Sequence, residues 1–355
     1  MTYDSFGRGP HPVGVRSVKL LDGSRDRSLP AEIWYPATDT HRGQDLADDT
    51  KDRYSLLIGL PAVTQDAVRD AKAAPGSFPL LLFSHGYSGH RRQSTFYTTH
   101  LASHGYVVAA LDHTGNTLKE IVEQTLAAQQ GTATPSILDN VVASMAVRPD
   151  DAIFLLGRVL DGTLGGLVDR IDADRIGMTG HSFGGWTTLT TIAREPRIDS
   201  AVVLAPAGGH TVGIDNPMSD AIELDWGRDV PTLFLAADQE NVLTPESVTD
   251  LFERTAGPKH LLTLANSDHF HFCDRAGEAH EIFRAMPWPG GGDGMAERLR
   301  PFADLIAAEP AYDFTRATAL AHFDATLKSR ADARTFLDET AVTALEAHGA
   351  RVLRP

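Results

Sequence analysis

Ile176-Gly-Met-Thr-Gly-His-Ser-Phe-Gly-Gly-Trp186 is the stretch on which the fold of this chain turns. Within it, Gly180-His181-Ser182-Phe183-Gly184 matches G-x-S-x-G, the pattern of a nucleophile elbow. There a strand turns sharply into a helix and holds one side chain in a strained, exposed conformation. Glycines flank the serine because a Cβ would clash in so tight a turn, and the serine Oγ then projects above the sheet edge. The pattern is short and occurs by chance, so its context decides. Asp172 to Thr179 reads as a turn feeding a short strand, and Gly185-Trp-Thr-Thr-Leu189 opens a small-residue segment compatible with a helix ending near Pro196. Strand, elbow and helix therefore follow in the required order.

Upstream, Phe78-Pro-Leu-Leu-Leu-Phe-Ser84 is a continuous apolar run that fits a strand buried on both faces. His85-Gly86-Tyr87 follows at once, Gln93 to His104 predicts a helix ended by Gly105, and Tyr106 to Asp112 predicts another buried strand. That is a βαβ unit, hence a parallel sheet with a right-handed crossover. Further strands are expected at Ala201–Pro206, Pro231–Ala237 and Lys259–Ala265. The chain begins differently: Val13–Leu21 and Leu29–Pro36, joined by a turn at Asp22-Gly-Ser24, predict an antiparallel start. Residues 40–76 are polar and punctuated, with a short helix expected over Pro61–Ala74, and Ala207 to Val230 is expected to be loop. Asn116 to Val147, interrupted by Gly131-Thr-Ala-Thr-Pro135, predicts two helices. The expected architecture is α/β: one domain with a mostly parallel central sheet, helices on both faces, and helical lid or cap insertions at 116–147 and 281–313.

Bulk properties limit the function classes. The 355-residue chain is 42% hydrophobic, has no low-complexity tract, and carries a formal net charge of −15. That charge argues against nucleic acid or an anionic membrane as partner. One cysteine, Cys273, cannot form an internal disulfide. Met1 to Pro12 lacks the apolar core of a signal peptide, and no run approaches the ~18 apolar residues of a membrane helix. A cytoplasmic location is the expectation; oligomeric state is not legible. There is no H-E-x-x-H and no dinucleotide glycine fingerprint, so neither metal nor cofactor is expected.

A serine hydroxyl needs a neighbouring base, and the base needs an acid to orient it. In a doubly wound sheet ligands bind at the carboxyl ends of the strands, and the partners should follow in the order serine, acid, histidine. His269, in Ala265-Asn-Ser-Asp-His-Phe-His-Phe272, sits just past the last strand, with His271 as competitor. Two carboxylates, Asp238 and Glu240, follow the preceding strand. Oxyanion donors are expected from the backbone N–H of Phe183 and that of Tyr87.

Together these residues resemble the α/β-hydrolase superfamily. They are most similar to the dienelactone-hydrolase-like group that includes plasma-type platelet-activating-factor acetylhydrolases and bacterial cutinase-like polyester hydrolases. The resemblance lies in Phe78-Pro-Leu-Leu-Leu-Phe-Ser-His-Gly-Tyr87, Leu101-Ala-Ser-His-Gly-Tyr-Val-Val108, Asp174 to Gly185, Val230 to Ala237 and Ser267-Asp-His-Phe270, and it extends to Leu29–Pro36. It implies carboxylic-ester hydrolysis through an acyl-enzyme on Ser182, with His269 as base and no cofactor. It favours Glu240 over Asp238, since Ala237-Asp-Gln-Glu fits the family's Gly-x-x-Asp with glutamate in place of aspartate. The placement used by mammalian acetylhydrolases, directly after the strand following the nucleophile helix, is occupied here by Pro206. The insertions are longer than a compact polyester hydrolase needs, which points to a covered pocket and a small ester substrate. Amidase, carbamate-hydrolase or phospholipase chemistry on the same residues is the alternative, and a non-catalytic binding protein that kept the fold is the second.

Overall fold

The computed structural model describes residues 3–56, 61–163, 165–211, 216–285 and 299–353. Strands β1 (Val13–Asp22) and β2 (Arg27–Pro36) pair antiparallel as expected, in register from Val13 opposite Pro36 to Asp22 opposite Arg27. β2 pairs antiparallel with β7 (Val107–Leu111), and β7 pairs parallel with β6 (Phe78–Ser84). From β6 the sheet continues in parallel through β8 (Ile171–His181), β9 (Ser200–Leu204), β10 (Thr232–Ala237) and β11 (Lys259–Leu264). A short antiparallel strand, β12 (Val352–Leu353), closes that edge. The order β6 beside β8, with β7 on β6's other side, means the chain reverses its direction of travel across the sheet between β7 and β8. At that switch point the carboxyl ends diverge and leave room for a ligand.

The strands of the parallel core are buried on both faces, which is why they read as unbroken apolar runs. One face is covered by α1 (Thr95–Ser103) and a long helix, Ala308–Leu327, whose Phe314, Leu320 and Phe323 are fully buried against Leu81, Val108 and Leu235. That helix had no counterpart among the sequence expectations, because its small residues (Ala311, Ala317, Ala319, Ala321) blur any apolar stripe. The other face is covered by α4 (Arg148–Leu160) and α5 (Phe183–Arg194), through Leu155, Leu156 and Val159 and through Trp186 and Leu189.

Three expectations need correction. No helix forms over 61–74: Val63–Gln65 (β4) pairs with Asp52–Tyr54 (β3), and Val68–Arg69 (β5) extends the main sheet beside β1. The β-branched residues there find strand partners on either side, and tertiary pairing overrides local helix preference. Within the connection expected to be loop, Pro217–Ala221 forms a short helix, capped by Asn216 accepting from Met218 N–H. Third, α1 starts at Thr95 and not Gln93, because the Asp274 carboxylate caps the Thr95 and Phe96 amides from across the molecule. Asn116 to Val147 does hold two helices, α2 (Leu118–Gln129) and α3 (Ile137–Met145), each opened by a capping box. Of the second expected insertion, 281–313, the described parts are the end of α6 (Ala276–Arg284) and residues 299–313; Pro287 to Gly292 lie outside the described residues.

Candidate active site

β8 ends at His181 and α5 begins at Phe183, so Ser182 alone makes the turn, with φ 57° and ψ −118°. A non-glycine residue in that region carries strain of about 1–3 kcal/mol. It is over-determined by its neighbours: Ser182 N–H donates to Leu204 O at 2.9 Å, and its carbonyl accepts from Gly185 N–H at 2.9 Å and Ala207 N–H at 3.0 Å. A Cβ on Gly184 would collide with the Ser84 carbonyl, and one on Gly180 with the Gly184 carbonyl, so both glycines serve close approach.

The loop after β11 brings His269 to the same mouth. Its Nδ1–H donates to Glu240 Oε2 at 2.8 Å, in a pair that is almost completely buried. The other Glu240 oxygen, Oε1, accepts from the Val242 and Leu243 amides at 3.0 and 2.9 Å, which fixes the carboxylate before it meets the imidazole. Asp238 points elsewhere and accepts from Ser267 N–H at 3.2 Å. His271 is also drawn away: it is fully buried, with Nδ1 at 2.7 Å from Asp268 and Nε2 at 2.9 Å from Ile306 O. Asp268 lies between His271 and His280. Burial alone would raise its carboxyl, but the hydrogen bonds from the two imidazoles outweigh that and hold it well below the ordinary carboxylate range.

The loop after β6 runs His85-Gly86-Tyr87 past the elbow. Among the described residues, neither Tyr87 N–H nor Phe183 N–H is taken up by a hydrogen bond within the chain. Two side chains not singled out in the sequence tie this loop to the histidine. Gln93 Oε1 accepts from Gly86 N–H at 2.9 Å, and Gln93 Nε2 donates to His181 Nδ1 at 2.8 Å. His181 Nε2–H in turn donates to the carbonyl of His269 at 3.0 Å. Burial holds His181 well below its ordinary pKa, hence neutral, and the carbonyl acceptor fixes its proton on Nε2. Gln93 stood at the start of an expected helix, with nothing in its neighbours to mark it. His181 was visible only as the variable position of the elbow.

Ser182, His269, His181 and Tyr87 line one cleft of about 340 Å³. Its apolar walls come from Val242, from Phe270, and from Ile282 and Phe283 on α6, and Leu118 at the start of α2 and Tyr54 also line it. Both helical segments expected as insertions thus reach the rim. Cys273 lies in the same wall, and burial together with nearby carboxylates pushes its thiol pKa up, away from nucleophilic use. Among the described residues no group of three or more His, Cys, Asp or Glu is placed to hold a metal ion, and no helix is long and apolar enough to cross a membrane.

Known proteins resemble this chain in sequence and in fold. The family described as "Platelet-activating factor acetylhydrolase, isoform II" matches residues 6–134. Platelet-activating factor acetylhydrolase of Canis lupus familiaris is 24% identical over 76% of this chain and 67% of its own length. Cutinase est1 of Thermobifida alba is 29% identical over 55% of this chain and 54% of its own length, so this chain matches only about half of that relative. Among solved structures, a ferulic acid esterase from Streptomyces cinnamoneus superposes with a TM-score of 0.61 at 26% identity, covering 90% of this chain and 92% of its own. Strand order, elbow and these similarities together give the chain an α/β-hydrolase fold and make it similar to the platelet-activating-factor acetylhydrolases and the bacterial cutinases.

Proposed function

We propose that the protein is a serine esterase acting on small or short-chain carboxylic esters through an acyl-enzyme. The observation that carries this is the buried His269–Glu240 pair, 2.8 Å apart, facing the same cleft as a serine held in a strained elbow. Ser182 Oγ gives its proton to His269 Nε2 and attacks the ester carbonyl. The Tyr87 and Phe183 amides stabilise the tetrahedral oxyanion. His269 then returns the proton to the departing alcohol, and water repeats the sequence to release the acid. Glu240, rather than Asp238, keeps the imidazole proton on Nδ1 and favours the imidazolium that forms.

The rim supports a small substrate. Leu118 of α2 and Ile282 and Phe283 of α6 line the cleft with Ser182, and a bounded apolar cleft suits a short acyl chain better than a polymer strand. We infer that these segments act as a cap over a single domain. A phospholipid-type acetyl ester is the second candidate, favoured by the family match over residues 6–134 and by the canine relative.

The test is hydrolysis of p-nitrophenyl esters from C2 to C12 together with fluorophosphonate labelling. Labelling of wild type but not Ser182→Ala, with activity highest at C2–C4, is the expected result. Absence of labelling in wild type would point to a non-catalytic binding protein, and a C8–C12 optimum would overturn the short-chain assignment.

A further inference from the structure

Arg148 opens α4, is completely buried, and takes no part in the steps above. Every local rule counts against a cation there. It sits at the positive end of a helix dipole, where positive charge is unfavourable. Among the described residues it has no carboxylate within ion-pair distance, since the nearby Asp151 is already shared by Arg25, Arg27 and His113. Its Nε and Nη1 hydrogens have no acceptor among the described residues. An unpaired buried charge with unsatisfied donors is costly to stability, and such breaches of local consistency gather at functional sites.

What Arg148 does touch is specific. Its Nη2–H donates to the carbonyl of His85 at 2.5 Å and reaches that of Gly86 at 3.4 Å, with His85 Nδ1 3.1 Å away. Its guanidinium carbon stands 4.4 Å from the centre of the Phe183 ring. His85 acts on the same loop. Its Nε2 accepts from His113 N–H at 3.0 Å, so its proton lies on Nδ1 and is donated to Gly86 O at 2.7 Å. The Gly86 carbonyl and the Tyr87 N–H are two ends of one peptide group. Donors on the carbonyl end draw electron density toward it and leave the N–H end a stronger donor, as hydrogen-bonded groups in series polarise one another. The other proposed donor, Phe183 N–H, belongs to the residue whose ring lies against the guanidinium. One buried cation therefore touches both halves of the oxyanion hole.

We propose that Arg148 is a positioning residue of the oxyanion hole: it holds the His85-Gly86-Tyr87 loop by its carbonyls, anchors Phe183, and supplies a fixed positive field beneath the developing oxyanion. This rests on the serine-esterase assignment. Preorganised positive charge in a dry site acts on the transition state without reorganisation, whereas a neutral ester in the ground state gains little from it. Removing Arg148 should therefore lower kcat and leave KM nearly unchanged. Both acylation and deacylation pass through an oxyanion, so kcat falls whichever step limits the rate.

The experiment measures kcat and KM for p-nitrophenyl acetate, and the inhibition constant of 1,1,1-trifluoro-2-hexanone, in wild type, Arg148→Met and Arg148→Lys. The ketone's adduct with Ser182 places an oxyanion in the hole, while the ester in its Michaelis complex does not. Direct loss of a donor costs roughly 100- to 1000-fold in rate; acting through the loop, the methionine substitution should cost ~10- to 100-fold in kcat, with KM within about twofold and ketone affinity weakened in parallel. Lysine keeps the charge but cannot reach both carbonyls, and should recover part of both losses. Wild-type kcat in Arg148→Met, or a loss of kcat with undiminished ketone affinity, would overturn the inference. If the methionine variant does not fold, the lysine variant decides: parallel loss in kcat and ketone affinity supports it, and wild-type values for both overturn it. A wild-type enzyme that neither hydrolyses the ester nor binds the ketone would instead remove the esterase assignment itself.

Discussion

His181 donates from Nε2 to the main-chain carbonyl of His269 across 3.0 Å, so the residue before the nucleophile holds the backbone of the proposed base. Gln93 orients His181 and also takes the Gly86 amide, and thereby links nucleophile, base and oxyanion loop through two side chains. These groups are buried, and each bond broken inside leaves a polar group without its partner, at about 1–3 kcal/mol.

Gln93→Leu should therefore lower kcat for p-nitrophenyl acetate by ~10-fold or more and lower the Tm by several degrees. Gln93→Glu keeps the acceptor toward Gly86 but removes the donor toward His181, and should lose more activity than stability. Steady-state kinetics with thermal melts separates the two. Wild-type kcat in both variants would show the link to be incidental.

Glu240→Gln should reduce kcat by ~10³-fold or more, because a neutral amide can favour the wrong imidazole tautomer and cannot stabilise the imidazolium. Asp238→Asn should stay within a few-fold of wild type, since Asp238 supports Ser267 and does not reach His269. A reversed ranking in the same ester assay would exchange the two carboxylates' roles.

Gly184→Ala should leave no room for the elbow, because the added Cβ meets the carbonyl oxygen of Ser84 on the neighbouring strand. Either the strand end moves or Ser182 leaves its strained conformation, and fluorophosphonate labelling should vanish even in the protein that folds. Undiminished labelling would mean that the turn tolerates a wider geometry.

Stability should fall on mild acidification. Burial lowers the pKa of His85, His90, His100, His113, His181 and His322 below the ordinary 6.5. Between pH 6.5 and the lower folded values, the unfolded chain takes up protons that the native state refuses. Each such group then withdraws up to about 1.4 kcal/mol per pH unit below 6.5. His280, raised against burial by its contact with Asp268, works the opposite way, contributing stability that is present below pH 6.5 and lost as pH rises through its folded value. Asp274, pushed up to about 6 by burial, also opposes the drop because the native state takes up its proton in this window; the six outnumber these two, so urea midpoints should drop steadily from pH 6.5 to 5. His322, hydrogen-bonded to Pro231 O and remote from the cleft, isolates the effect: His322→Gln should flatten the slope. A midpoint independent of pH across that range would contradict this account.

Much of this protein was written locally. The apolar runs at Phe78–Ser84, Val107–Leu111 and Thr232–Ala237 required a buried parallel sheet, because only strands covered on both faces can be apolar on both. Gly180 and Gly184 around Ser182 required a turn too tight for Cβ atoms. His269 and the two carboxylates fell after strands, where side chains leave the sheet at the ligand-binding edge. Tertiary structure decided what depends on contacts far apart in sequence: that Glu240 and not Asp238 meets His269, that Asp274 delays α1 by two residues, and that Val63–Gln65 pairs as a strand. It also decided that Arg148 lies buried against the carbonyls of His85 and Gly86, with no carboxylate partner among the described residues. Periodicity and spacing record what a residue's neighbours in the chain impose; a hydrogen bond between residues 29 or 88 positions apart leaves no such record, and only the folded sheet brings its partners together.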